Sequence, residues 1–185
     1  VTTARARVLR GLPVSIVLVC CLAGCGGVSD REARALVDNY IRAVSEAYRR
    51  SDVTLVDGAV GPLEGKRLTG LIGVRQDMGI SLDADALSVE VTEVEMSNEG
   101  ELRVRTKESW RYRDRRIGTG EQVGAESLDR YEMLYVFRRI DGRWKVDETR
   151  FSAPPHVGRS VTPWGIEHGA MQSSSSPEKP RGGLK

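Results

Sequence analysis

Tyr135-Val136-Phe137-Arg138-Arg139-Ile140-Asp141-Gly142-Arg143-Trp144-Lys145-Val146-Asp147 reads as two strands joined by a tight turn. Tyr135 and Phe137 share one side of an extended chain. Asp141-Gly142 supplies the residue types that tolerate positive φ in a two-residue hairpin loop. Working backward from this hairpin, the period stays at two. Tyr131 and Met133 extend the Tyr135/Phe137 face, with Leu134 and Val136 opposite. A Gly-rich stretch at 118–124 separates them from a longer run, in which Leu102, Val104, Thr106, Glu108, Trp110 and Tyr112 share one face. Arg103, Arg105, Lys107, Ser109, Arg111 and Arg113 share the other. Earlier still, Leu87, Val89 and Val91 alternate with polar residues, and Val94 and Met96 continue on the opposite parity, which predicts a β-bulge near Thr92. Four antiparallel strands are therefore expected, and Asn98-Glu99-Gly100 is the turn between the first two.

Ahead of the strands the period is helical. Ser29 and Glu32 have capping-box spacing, and Leu36, Val37, Tyr40, Ile41, Val44 and Tyr48 form one apolar stripe over about 30–50. Arg49-Arg50 fall in the last turn, where positive charge complements the helix dipole. A short helical turn is expected at Val53–Val56. Pro62 then opens a second helix with Leu63, Leu68, Leu71, Ile72, Arg75 and Met78 on its period. Gly65, Gly70 and Gly73 inside it leave two alternatives: a short, broken helix, or one whose glycines press close to a sheet. Helices first and strands after give an α+β order. Seven of the ten aromatic residues fall between Trp110 and Phe151, which places the core on the sheet with the helices laid across it. Long, bent strands closed on one side by helices form a cone with a cavity.

The chain has 185 residues with 28 Lys+Arg against 26 Asp+Glu, enough for one ordinary domain plus appendages. Its composition excludes a polytopic membrane protein and a wholly disordered chain. The formal charge of +2 depends on Arg5, Arg7 and Arg10, because residues 1–24 contain no acid; without them the balance is −1. Nucleic acid is thus not an expected partner. The basic residues 1–10 and the apolar stretch Leu12–Ala23 read as a secretory signal, too short for the roughly 20 residues of a spanning helix. Beyond Pro154-Pro155 the composition shifts, and 154–185 is expected to be a disordered Pro/Ser/Gly-rich tail. In it, Trp164 either packs locally or meets a partner.

Leu22-Ala23-Gly24-Cys25 resembles the lipobox of bacterial lipoproteins. The resemblance implies diacylglyceryl transfer to Cys25 and cleavage between Gly24 and Cys25. The alternative is a simple secretory signal or an uncleaved anchor. Residues 1–24 are then a signal peptide, 25–30 a lipidated cysteine with its linker, and 31–153 the folded domain. Two or three acyl chains suffice for stable anchoring. The expected location is extracytoplasmic, on the cell membrane or outer membrane, with the membrane as partner through the anchor. Gly26-Gly27, lacking Asp at the second position, resembles lipoproteins not retained at an inner membrane. Cys20 and Cys21 leave with the signal, so the mature domain has no thiol for a disulfide, a zinc cluster or a nucleophile.

The helix, second helix and four-strand meander resemble the nuclear-transport-factor-2-like superfamily, an α+β cone shared with SnoaL-type cyclases and ketosteroid isomerases. A nearer likeness is to the intermembrane-space (IMS) domain of plastid division proteins, on Gly61-Pro62-Leu63, Glu108-Ser109-Trp110-Arg111-Tyr112 and the hairpin quoted above. That resemblance implies a non-catalytic interaction module, with a protein partner or a small ligand.

Two candidate sites follow. Inside the cone, Glu108 and Thr106 are the polar residues of an inward face shared with Trp110, Tyr112, Tyr131 and Tyr135. A carboxyl among aromatics can have a raised pKa and act as a general base, and a Tyr can donate to an oxyanion. Alternatively Glu108 lies near the mouth and pairs with an arginine. Outside, Arg103, Arg105, Lys107, Arg111 and Arg113 form either a surface for an anionic partner or the solvated face of a strand. No His falls within 31–153, so His-dependent triads are excluded there. Gly118-Thr119-Gly120-Glu121-Gln122-Val123-Gly124 places its third Gly one position too late for a dinucleotide fingerprint. Asp83-x-Asp85 and Asp147-Glu148 lack the further ligands calcium needs. No metal or cofactor is expected.

Overall fold

The structure, a computed structural model, describes residues 28–156 and the backbone of 161–162 and 165–166. The signal segment, Cys25 and Trp164 lie outside the described residues.

Ser29 accepts a hydrogen bond from the Glu32 amide at 3.2 Å and starts α1 (Asp30–Arg50). Its buried stripe is Ala33, Val37, Tyr40, Ile41, Val44, Ala47 and Tyr48. The expected turn at Val53–Val56 is a 3-10 helix, capped by Asp52 accepting from the Thr54 amide at 3.0 Å. Helix α2 (Pro62–Asp77) is continuous. Its glycines neither break it nor press on the sheet: a Cβ at Gly70 or Gly73 would meet nothing within 4 Å. The expected stripe needs correction, since Leu63 and Met78 are 61% and 66% exposed and the buried positions are Glu64, Leu68 and Ile72. Among the described residues no helix is long and apolar enough to cross a membrane.

Strands β1 (Ile80–Met96), β2 (Leu102–Arg116), β3 (Gln122–Ile140) and β4 (Arg143–Phe151) form an antiparallel meander in chain order. Val91 pairs with Thr106 and Glu93 with Arg105, so Thr92 is the extra residue of the expected bulge. A second bulge falls at Leu87. Asp141 and Gly142 both have positive φ (52° and 74°), as the two-residue hairpin requires. The fold is α+β, with both helices on one face of an open four-stranded sheet. Leu102, Val104, Trp110, Tyr112, Tyr131, Met133, Tyr135 and Phe137 fill the space between them; burying each such large side chain contributes about 1.5–3 kcal/mol. Beyond β4, His156 exchanges both backbone hydrogen bonds with Arg130, so the chain keeps following β3 past residue 153. Further on, Val161–Thr162 and Gly165–Ile166 pair as a short hairpin within the segment expected to be tail.

One junction holds the helices to the sheet edge. The Val146 amide donates to Ala59 O at 2.9 Å and the Gly61 amide to Val146 O at 2.7 Å, a parallel bridge along the outer edge of β4. There β4 is bulged: Val136 pairs with Glu148 and Phe137 with Val146, leaving Asp147 as the extra residue. A Cβ at Gly61 would lie inside contact distance of Asp147 Oδ1 and 2.8 Å from Ile140 Cδ1. Asp147 cannot easily withdraw, because Arg138 Nη1 holds its other oxygen at 2.7 Å. Gly61→Ala is expected to destabilise by about 1–3 kcal/mol. Gly70→Ala, with open space and an ordinary helical backbone, is expected to stabilise by about 0.5–1 kcal/mol. Urea unfolding of the two variants measures both; equal effects would contradict the packing at Gly61.

Candidate functional site: a buried carboxyl and two charged surfaces

Alternation along β2 carries Thr106, Glu108 and Trp110 to the face under the helices. Glu108 is 3% exposed, and three neutral donors surround it. Thr106 Oγ1 and the Tyr135 hydroxyl donate to Oε1 at 2.6 and 2.7 Å, and Trp110 Nε1 donates to Oε2 at 2.7 Å. No cation pairs with it among the described residues. Burial raises its pKa above the ordinary carboxylate value, and the three hydrogen bonds pull in the opposite direction. Burial, then the charge of Glu108, raises the Tyr135 hydroxyl well above the usual phenol value. The arrangement is thus neither of the two expected from sequence in full: Glu108 is held among aromatics, and it is not paired with an arginine.

The six candidate pocket residues divide. Thr106, Glu108, Trp110 and Tyr135 form one hydrogen-bonded cluster. Tyr112 stacks on Trp110 with centroids 5.7 Å apart, while the Tyr131 hydroxyl turns away to donate to buried Asp129 at 2.8 Å.

Sequence reading missed the second buried carboxyl, Glu64, which is 1% exposed. It accepts from Arg67 Nε at 2.8 Å and Nη2 at 2.5 Å, and from the Tyr40 hydroxyl. Thr149 Oγ1 approaches it at 3.5 Å. A signal was present: Glu64, Leu68 and Ile72 recur at intervals of four, so the acid lies on the stripe it was not assigned to. The Tyr40 and Tyr135 rings meet edge to face at 5.5 Å and join the two carboxyl clusters.

On the opposite face of the sheet, every member of the basic stripe has a carboxylate beside it. Arg103 meets Glu101 at 3.1 Å, Arg105 meets Glu93 at 2.8 Å, and Lys107 meets Glu132 at 3.9 Å. Arg111 and Arg113 both reach Asp85, at 3.1 and 2.7 Å. An open groove of about 360 Å³ crosses this face, with Ser88, Lys107, Ser109, Arg130, Pro154 and His156 among its lining. Glu108 and Tyr131 also contribute to that lining. Among the described residues no group of three or more metal-ligating side chains assembles.

Two helices packed on a four-stranded antiparallel sheet define an α+β domain. The structure is similar to the intermembrane space region of the chloroplast protein ARC6, known from a crystal structure, with a TM-score of 0.60 and 16% sequence identity over 68% of this chain and 98% of that one. At that identity the likeness is one of fold. No protein-family model and no curated protein sequence matches the chain.

Hydroxyl groups can exchange donor and acceptor roles, whereas the indole N–H only donates. Glu108→Gln therefore has a satisfied arrangement, with its oxygen on Trp110 and its amide on Thr106 and Tyr135. This variant is expected to fold. Because the folded pKa of Glu108 is raised, its contribution to stability is fully present below the unfolded carboxylate pKa and is lost as pH rises through the folded one. Glu108→Gln is expected to remove that part of the decline, measured by urea unfolding between pH 4 and 8. Glu108→Ala, which leaves three buried donors unpaired, is expected to lose about 2–5 kcal/mol.

Proposed function

We propose that the chain is a lipid-anchored, extracytoplasmic binding or assembly module that acts through its surface at the membrane. The finer fold reading, a nuclear-transport-factor-2-like cone, belongs to this proposal, as does lipidation at Cys25. One observation carries the non-catalytic reading. The single carboxyl poised by sequence as a base has both oxygens occupied by Thr106, Trp110 and Tyr135, and it is 3% exposed. A general base must reach a substrate proton, and this one is committed to holding β2 and β3 together. The IMS-type fold supports the same reading, because its resemblance family uses the domain for interaction.

A second reading, a small-molecule or isomerase-like pocket using Glu108, is favoured by one feature: the carboxyl is buried among Thr106, Trp110 and Tyr135, and that burial raises its pKa.

Intact-mass analysis of the membrane fraction is expected to find the chain cleaved before Cys25 and carrying acyl chains there. Cys25→Ser is expected to lose the adduct; a soluble, unmodified mature chain would overturn the anchor. Cross-linking in intact cells is expected to trap wild type and Glu108→Gln equally in a larger assembly. Loss of that assembly in Glu108→Gln alone would shift the assignment to the pocket reading.

A further inference from the structure

We infer that the end of the molecule where α1 stops and β2 turns into β3 is an oxyanion-binding site for phosphate-type ligands. Arg49-Arg50 occupy the last turn of α1, and Arg115-Arg116 occupy the last two positions of β2. The fold brings the two pairs onto one open pocket of about 400 Å³. The turn Gly118–Gly120 forms a further wall, and Asp83 is the single acid in the lining.

Charge is unbalanced here. Arg49 and Arg50 share Glu46; Arg49, Arg113 and Arg115 reach Asp83; Arg49, Arg111 and Arg113 reach Asp85. Arg116 makes no ion pair among the described residues. Six guanidinium groups therefore face three carboxylates. Asp114, the neighbouring acid on β2, is engaged by Arg75 of α2. At the other end of the basic stripe, Arg103, Arg105 and Lys107 each have a carboxylate close by. The surplus thus collects at the α1–β2 end and does not run along the strand.

The residue type narrows the ligand. All six cations are arginines, whose planar forks match the paired oxygens of a phosphate and stay charged at any working pH. Asp83 holds Arg115 at 2.6 Å and Arg49 at 3.5 Å, which positions two forks at the floor of the pocket. Arg50, 65% exposed, and Arg116 keep donors free to close over an anion. A phosphate monoester or a pyrophosphate presents enough oxygens to engage several forks at once; a lone carboxylate engages one. Because the site is open to water, its affinity is salt-sensitive.

Two sources offer this chemistry, a soluble phosphate and a lipid headgroup. Helix α1 has 21 residues and is about 30 Å long. The lipidation proposed at Cys25 would precede its first turn, which leaves the pocket at the helix end away from the anchor. That geometry favours the soluble source; this preference rests on the anchor reading, whereas the site itself does not.

Calorimetric titration of the full chain with pyrophosphate, in zwitterionic micelles at low salt, tests the site. Wild type is expected to bind, and Arg50→Gln/Arg116→Gln to bind about tenfold more weakly or worse. Neither substitution removes an ion pair to the sheet, and thermal unfolding checks that the variant is folded. Arg103→Gln/Arg105→Gln is expected to bind as wild type does. No binding by wild type, equal binding by the Arg50/Arg116 variant, or equal loss in the Arg103/Arg105 variant would each overturn the proposal. Doping the micelles with phosphatidylglycerol separates the sources. Undiminished pyrophosphate binding supports a soluble ligand. Suppressed wild-type binding, restored by excess pyrophosphate, supports the same chemistry filled by headgroups.

Discussion

The edge-to-face contact of Tyr40 and Tyr135 links α1 to the middle of the sheet, and each ring carries its hydroxyl to a different buried carboxyl. Burying an ionisable carboxyl is costly unless its oxygens are satisfied. Glu64 is satisfied by Arg67 from its own helix and by Tyr40 from α1; Glu108 is satisfied by Thr106, Trp110 and Tyr135 from β2 and β3. A shift of one helix past the other would break the Tyr40–Glu64 bond and leave a buried oxygen unpaired. The Tyr40–Tyr135 ring contact and Thr149 of β4, 3.5 Å from Glu64, tie that helix pair to the sheet.

A second constraint closes the structure at its edge. The bulge at Asp147 turns that side chain toward the α2 entry, where Gly61 leaves room for it. Arg138 of β3 then joins Asp147 of β4 to Glu101 just ahead of β2, at 2.7 Å to each carboxylate. The Ala59–Gly61 bridge covers the edge of β4 that would otherwise offer unpaired backbone groups. At the opposite edge β1 carries two bulges and the acids Glu90, Glu93 and Glu95, which discourage strand addition.

With its interior polar groups engaged in holding elements together, the molecule meets other molecules through its charges. These are unevenly distributed. Carboxylates neutralise the middle of β2, whereas arginines outnumber acids where α1 and β2 end together. The same alternation that drives Leu102 through Tyr112 inward drives Arg103 through Arg113 outward. Core and surface are consequences of one periodic sequence on one long strand.

The elements themselves were legible from residue order. The 3.6 period with Ser29 at its head defines α1, the period of two marks all four strands, and the parity change at Thr92 marks a bulge, because these are local properties of a chain with fixed backbone geometry. Strands β1 and β3 nonetheless start earlier than the alternation shows, at Ile80 and at Gln122 inside the Gly-rich stretch. Thr106 and Glu108 on the inner face followed from the same alternation. Helix α2 was less legible: its apolar residues are spread around the helix, and Glu64 belongs to the buried side only because Arg67 and Tyr40 meet it there. Which cations gather also depended on tertiary structure, since Arg49-Arg50 and Arg115-Arg116 are some 65 residues apart in the chain and converge only when α1 lies along β1. Periodicity assigns a residue to a face; only packing decides which faces meet, and therefore which buried acids find donors and which arginines are left with donors to spare.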